Sequence, residues 1–363
     1  MEEGRDSLEK IKSFYKNKKV LITGVTGFKG AWLASWLLNL GAKVYGTGYN
    51  PNQNKNLFYL LNLQKKINLT LFDIRDFKKI KNLISKKKPS IIFHLAAQPL
   101  IYVSYKKPLT TFDVNFRGTL NVIESVRNSS FVKSLIIVTS DKCYESQDSM
   151  VGFKESDRLG GIDPYSASKS SIEIMSRAYR ESFFLKKNVT GVSTVRAGNV
   201  IGGGDWSKKR LIPDIVKSLL KKKKILIRNP NFNRPWQLVL EPLKGYLFLA
   251  KKQYENPKKF SSAWNFGTNT KSLTTVKMIV EYIIDFWGSG KMLTKKNNFY
   301  EQVNLQLNSS KAKKFLKWTP TYSIKNGVKM TTEWYLRVCK KKENPEIVTT
   351  SQIKKYMHDS KIN

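Results

Sequence analysis

Histidine and cysteine are nearly missing from this chain of 363 residues, which has two of each: His94 and His358, Cys143 and Cys339. Two cysteines without a CxxC pairing build no disulfide framework, and with so few histidines they furnish no zinc site. A Ser-His-Asp triad is equally hard to assemble. His94 closes an apolar run, where a buried and satisfied ring belongs, and His358 lies in a polar tail. Long hydrophobic runs are also absent. Ile91–Ala97 and Leu135–Thr139 are strand-sized, against the ~20 apolar residues that cross a bilayer. The start, MEEGRDSLEK, mixes charges of both signs and lacks the basic and apolar regions of a secretory signal. These absences predict a soluble, cytoplasmic, globular protein without a membrane partner. At 40% hydrophobic residues, the chain has enough apolar mass for a real core.

Acidic residues are scarce as well, 27 against 65 Lys and Arg, so the net charge is +38. One reading is a nucleic-acid partner. The lysine clusters Lys86–Lys88, Lys221–Lys224 and Lys340–Lys342 are short and scattered, without the interleaved aromatics of a single-strand binder. Lys, Asn and Ile are all heavily used, as AT-rich coding sequence would dictate. A lysine-rich surface is therefore preferred, with no nucleic acid bound. An anionic small molecule would still gain from the field.

What is present is an alternation of strand and helix signals. Lys19–Thr23 reads as a strand, Lys29–Leu40 as a helix stopped by Gly41, and Lys43–Thr47, Leu69–Phe72, Ser90–His94 and Leu135–Thr139 as further strands. Helices are expected around Phe77–Lys86 and Leu109–Arg127. This order predicts an α/β fold: a Rossmann-type, doubly wound parallel sheet with a smaller α/β substrate-binding lobe. The dinucleotide-binding part is placed at residues 1–195 and the substrate lobe mainly at 196–363, interleaved with the sheet.

Thr23–Gly30 reads TGVTGFKG, after a strand and opening a helix, where such a motif carries meaning. Gly24 permits the tight turn, Gly27 admits a pyrophosphate to the backbone, and Gly30 allows close helix–strand packing. Thr26, Phe28 and Lys29 complete this cofactor-binding loop, with amides at the helix start facing the anion. An acidic residue ~20 positions further on usually holds the ribose 2′-OH, yet none occurs between Gly30 and Asp73. Asn50, Asn52 or Gln53 could bond there instead, and these residues leave NAD and NADP as alternatives. Asp73, followed by Ile74, could receive the adenine amino group or simply be an acidic residue at a helix start.

Tyr165 and Lys169 form YSASK, one turn apart on a helix that begins at Asp163-Pro164. Tyrosine has a pKa of ~10, and lowering it by ~3 units takes about 4 kcal/mol of differential interaction. The lysine and a positive nicotinamide ring are the charges expected to do so. The strand Leu135–Thr139 delivers Ser140 and Asp141 at its C-terminal end, where doubly wound sheets bind ligands. Ser140 can bond the hydroxyl that Tyr165 deprotonates, and Asp141 can act as a general acid.

Taken with HLAAQP at 94–99, VTSDKCYE at 138–145, RAGNVIGGGDW at 196–206, RLIPD at 210–214 and RPWQLVLEPLKGY at 234–246, these motifs closely resemble the CDP-glucose 4,6-dehydratases. That family is a branch of the extended short-chain dehydrogenases. The resemblance runs from about Phe14 to Trp334. GGGDW, RLIPD and RPWQ…LEPL are specific to this dehydratase branch.

The resemblance implies bound NAD, oxidation at the sugar C4, loss of water across C5 and C6, and hydride return to C6. The product would be a 4-keto-6-deoxy sugar used in surface polysaccharide. It also implies that Leu95, Ala96 and Ala97 line the cofactor, that Asn115 bonds near the site, and that Asn199 and Arg234 contact the diphosphate, with Arg210 and Arg228 as weaker candidates. Related dehydratases carry Asp-Glu after the Ser or Thr. Here the pair is Asp141-Lys142, leaving Lys142 or another group as the C5 base. Val25 stands where relatives often have histidine. A homodimer or homotetramer is implied, paired through helices at Leu109–Arg127 and Tyr165–Phe184. A dehydratase or 4-epimerase of another nucleotide sugar is the alternative, and a nucleic-acid-binding protein on a degenerate fold is the alternative from a different class.

Overall fold

The apolar runs become strands, and helices fill the intervals. In chain order the principal elements are β1 (Lys19–Thr23), α1 (Phe28–Asn39), β2 (Lys43–Gly48), β3 (Asn68–Leu71), α2 (Phe77–Lys87), β4 (Ile91–His94), α3 (Gly118–Arg127), β5 (Ser134–Val138), α4 (Pro164–Tyr179) and β6 (Gly191–Ala197). There follow α5 (Leu211–Leu220), α6 (Leu240–Glu255), β7 (Ala263–Phe266), α7 (Val276–Trp287), α8 (Ile324–Tyr335) and α9 (Pro345–Asp359). The computed structural model describes residues 10–49, 56–145, 152–187, 189–227, 229–268, 274–294 and 306–360.

Strands β1 to β7 form one sheet in the order β7-β6-β5-β4-β1-β2-β3, parallel throughout. Successive side chains of a strand point to opposite faces, and here both faces are buried. Val20 and Ile22 of β1, with Ile91 and Phe93 of β4, join a core that includes Trp32, Trp36 and Trp334. Leu21 and Ile92, between them, join a second core with Ile80, Val122 and Ile172. A sheet covered on both sides needs continuous apolar strands, which is why these runs do not alternate.

Helix α1 is buried on nearly every side rather than on one face, from Gly30 through Leu37. The reason is its position between the sheet and α9, where Trp36 meets Tyr356 edge-on with ring centroids 5.6 Å apart. Helix α2 is amphipathic, burying Ile80, Leu83 and Ile84, and is capped by Asp76, whose carboxylate accepts from the Lys79 N–H at 3.1 Å. The region expected as one helix over 109–127 is broken. Pro108–Phe112 is a short helix, Asp113–Arg117 widens into a π-helical turn, and regular geometry resumes in α3. There Asn115 and Gly118 press against Gln98 and Ile74, contacts that no local pattern announces.

Beyond β6 the chain builds a second lobe with two-stranded pairs, Ile225–Ile227 beside Met292–Thr294 and Asn233–Arg234 beside Thr274–Thr275. It does not stay apart from the sheet, because β7 pairs with β6. Glu241 of α6 is buried, and its carboxylate accepts from the Thr321 and Tyr322 N–H groups at 2.8 Å and the Tyr356 hydroxyl at 2.6 Å. Lys244 donates to Thr319 O and Thr321 Oγ1 at 2.9 and 2.7 Å. The LEPLK stretch thus clasps α9 to the body. No described helix is long and apolar enough to cross a membrane.

His94 ends β4 fully enclosed, its Nδ1 2.6 Å from Thr23 Oγ1 and its Nε2 2.9 Å from Thr119 Oγ1. Burial, then the Lys169 charge, push its pKa down to about 3. The unfolded ring protonates near pH ~6.5. Its stabilising share is therefore complete above that pH and is lost as pH falls toward 3, at about 1.4 kcal/mol per pH unit. Urea unfolding at pH 7 and pH 5 should show this acid-side slope in the wild type and a shallower one in His94→Gln.

Candidate active site

The carboxyl ends of β1, β4 and β5 meet where the strand order reverses, the position at which such sheets receive ligands. Gly24 follows β1 with φ +72°, and a Cβ there would stand 2.6 Å from the Ala96 backbone nitrogen. At Gly30 a Cβ would stand 2.3 Å from the Gly24 carbonyl oxygen. Gly27 opens α1 in extended conformation and no side chain caps the helix, whose first amides have no partner within it. Thr26 is tied to the end of β2 by donating to Tyr49 O at 3.2 Å, while Asn56 donates to Thr26 O. Val25 is fully buried and serves packing, its N–H donating to Thr47 O at 3.1 Å. Leu95 N donates to Thr23 O, and Ala96 N lies 3.3 Å from Thr23 Oγ1, which sets this segment against the glycine turn.

Across the crevice, Ser140 caps a one-turn helix over Asp141–Cys143. Its hydroxyl donates to Asp141 Oδ1 at 2.9 Å, accepts from the Lys142 N–H at 3.2 Å, and lies near the Tyr165 side chain. Asp163 caps α4 by accepting from the Tyr165 and Ser166 N–H groups, with Pro164 in the first turn, so the sequence itself fixes where Tyr165 begins the helix. Lys169, one turn on, donates to Val138 O at 3.2 Å. Asn115 braces the same helix by donating to Ser168 Oγ at 2.9 Å, and it accepts from Gln98 N at 2.7 Å.

Within the chain's own groups the Tyr165 hydroxyl is pushed up, to about 12, chiefly by burial; Asp141 adds to this, while the Ser140 hydroxyl and Arg210 oppose it. Lys169 is itself lowered by burial to about 8. Lys29 falls to about 8 for the same reason, with Arg210 and Lys169 lowering it further and Asp141 opposing. Lys29, Asp141, Tyr165, Lys169 and Arg210 thus lie close enough for their charges to act on one another.

A family model described as GDP-mannose 4,6 dehydratase matches residues 21–331. The chain belongs to that dehydratase family. It is 40% identical to the CDP-glucose 4,6-dehydratase of Salmonella typhimurium, over 92% of this chain and 96% of that one. It is 26% identical to the human dTDP-D-glucose 4,6-dehydratase, over 88% and 90%. Among solved structures it resembles a UDP-glucose 4-epimerase of Thermotoga maritima with UDP-glucose (TM-score 0.77, 21% identity, 88% of this chain and 99% of that one). It also resembles a dTDP-glucose 4,6-dehydratase of Bacillus anthracis in complex with NAD (TM-score 0.74, 23% identity, 88% and 97%). These two likenesses show the fold.

Measured against the needs of a 4,6-dehydratase, the remaining residues divide. A dinucleotide fits the loop, since neither Gly24 nor Gly30 has room for a side chain and the start of α1 suits a pyrophosphate. Asp73 is not a helix cap, because Asp76 holds that place. Its carboxylate is gripped by Arg75, through N–H, Nε and Nη2 at 2.9, 3.0 and 2.7 Å, which holds it below the usual carboxylate range. Ile74 is buried beneath α3, its carbonyl accepting from Asn121 at 3.1 Å. Lys142 is partly buried.

Asn199 accepts at its carbonyl from Gln237 N, and the neighbouring Gly198 lies close to both Pro235 and Asp141. Arg234 lies 5.5 Å from the Phe232 ring, and Arg210 pairs with Asp205 at 3.3 Å. Arg228, Asn50, Asn52 and Gln53 lie outside the described residues. Sequence reading missed a buried polar group directly behind the site: Glu173, Arg196, Tyr144 and Asn265. Its one signal was an acidic residue four positions after Lys169.

Proposed function

We propose that the chain is an NAD-dependent CDP-glucose 4,6-dehydratase, yielding CDP-4-keto-6-deoxy-glucose for deoxysugar and surface-polysaccharide synthesis in the cytoplasm. What carries this reading is the meeting of Tyr165, Ser140 and Asp141 beside the glycine turn, on a chain so similar over its length to the Salmonella enzyme. NAD+, when bound, supplies the two-electron acceptor that takes hydride from C4 and gives it back at C6. Tyr165 accepts the 4-OH proton while Ser140 holds that oxygen. The resulting ketone acidifies C5–H, and Lys142, on the same turn as Asp141, or another group takes that proton. Asp141 protonates the departing 6-hydroxyl, so water leaves. Proton return to C5 closes the cycle with no net oxidation. Arg210, Arg234 and Asn199 receive the diphosphate, and Asp73, Ile74, Leu95, Ala96 and Ala97 border the cofactor.

A 4-epimerase has no departing hydroxyl for Asp141 to protonate, which favours the dehydratase. Supplying the purified protein with CDP-glucose, dTDP-glucose, UDP-glucose and GDP-mannose in turn tests this. A 4-keto-6-deoxy product from CDP-glucose is expected, and turnover of only a non-cytidine donor would overturn the substrate assignment.

The exposed apolar residues Leu109 (81%), Ile174 (59%), Phe183 and Phe112 lie on α4 and the segments adjoining it, a grouping suited to pairing two copies. Sedimentation should then give at least twice the chain mass of 41.8 kDa.

A further inference from the structure

Tyr165, Lys169 and Glu173 stand one turn apart on α4, and each approaches one of three successive residues where β5 ends, the last two by hydrogen bonds. Tyr165 meets Ser140, Lys169 donates to Val138 O at 3.2 Å, and Glu173 Oε1 accepts from Thr139 Oγ1 at 2.5 Å. The other Glu173 oxygen accepts from Thr194 Oγ1 at 2.6 Å and Arg196 Nη2 at 2.7 Å. Arg196 carries the network on to the Tyr144 hydroxyl at 2.6 Å, which donates to Asn265 Oδ1 at 2.8 Å. Both members of the ion pair are enclosed, their side chains 3% and 2% exposed.

We propose that Glu173 is a positioning residue for the catalytic pair: it locks α4 in register with the strand end, and its carboxylate is the counter-charge of the Lys169 ammonium. This rests on the dehydratase reading above. A buried ion pair is weak support for stability as such, since an apolar replacement often does as well, so its place behind the catalytic register calls for another reason. The surroundings of Lys169 supply one. Besides Tyr165 and Glu173 on its own helix, the groups that act on it or feel its charge are Cys143 from the turn after β5, His94 from β4 and Lys29 from α1. Burial holds Cys143 as a thiol and His94 neutral, and Lys29 is a like charge. Of these, Glu173 provides the negative charge. Burial would raise its own carboxyl, but Arg196 and the two threonine hydroxyls outweigh that and keep it ionised.

The test follows the Lys169 ¹³Cε resonance against pH in lysine-labelled protein, assigned by its loss in Lys169→Met, together with the pH profile of kcat/KM. In the wild type, burial should bring the Lys169 midpoint down to about 8. In Glu173→Gln, and in the charge-neutral double variant Glu173→Gln/Arg196→Gln, the midpoint and the alkaline limb should both move down by about one pH unit. Glu173→Asp should restore them. Thr194→Val, which cuts a network hydrogen bond and keeps the carboxylate, should lower the melting temperature and leave midpoint and limb in place. An unmoved Lys169 midpoint in both Glu173→Gln variants, with activity lowered equally at every pH, would reduce the residue to packing. Failure of both variants to fold would likewise assign the pair to the fold alone. If the wild type makes no keto sugar from any donor, the dehydratase reading fails, while the resonance still decides this one.

Discussion

Tyr165→Phe lowers kcat by about 10³-fold, the share typical of a positioned general base, and leaves cofactor retention and melting temperature near wild type. The two halves of that expectation have separate causes. Removing the hydroxyl deprives the 4-OH proton of its acceptor, and no neighbour replaces it. Lys169 is committed to Val138 O, and Asp141 already accepts from Ser140. The fold barely notices, because the Ser140 hydroxyl keeps Asp141 as a partner and is not left unsatisfied. The chain's own groups hold the Tyr165 proton tightly, at about 12. Turnover in the wild type should therefore rise with pH on the acid side of its optimum, and this limb should vanish in the variant's residual activity. Near-normal kcat in Tyr165→Phe would take that residue out of the mechanism.

The second large effect falls on the cofactor. In Gly30→Ala the new methyl would stand 2.3 Å from the Gly24 carbonyl oxygen, a backbone atom that moves only with the whole turn. Overpacking of this kind costs about 1–3 kcal/mol, and here the displaced atoms form the bed of the pyrophosphate. Affinity for NAD, measured by calorimetric titration, should fall about 5- to 150-fold at that cost. Turnover at saturating NAD should stay within a few-fold of wild type, since the Ser140–Tyr165 side of the crevice is built from other elements. A variant that binds NAD normally would mean that the cofactor lies elsewhere.

The local structure around both motifs was legible in the sequence because its logic is local. A strand, a glycine turn and a helix follow one another in Lys19–Asn39, and Asp163-Pro164 announces the helix that carries Tyr165 and Lys169. What the sequence hid depends on approach between distant segments. Nothing in Leu109–Arg127 signals the π-helical turn or the close approach of Gly118 to Ile74 beside it. Asp73 reads as a free acid until Arg75 folds back on it. The burial that raises the Tyr165 hydroxyl within the chain's own groups is likewise a tertiary effect that a one-turn spacing does not announce. Glu173 and Arg196, 23 positions apart, become a pair only when α4 is laid against β6.

The clasp at Glu241 also bears on how the molecule comes to be folded. Its carboxylate is satisfied by donors from residues 321, 322 and 356, and the strand that completes the sheet spans 263–266. A nascent chain that has emerged through α6 therefore owns Tyr165, Ser140 and Glu241 but lacks an edge strand and the donors that satisfy that buried acid. Such an intermediate should be sticky and prone to chaperone capture, with cooperative folding deferred until synthesis is almost finished.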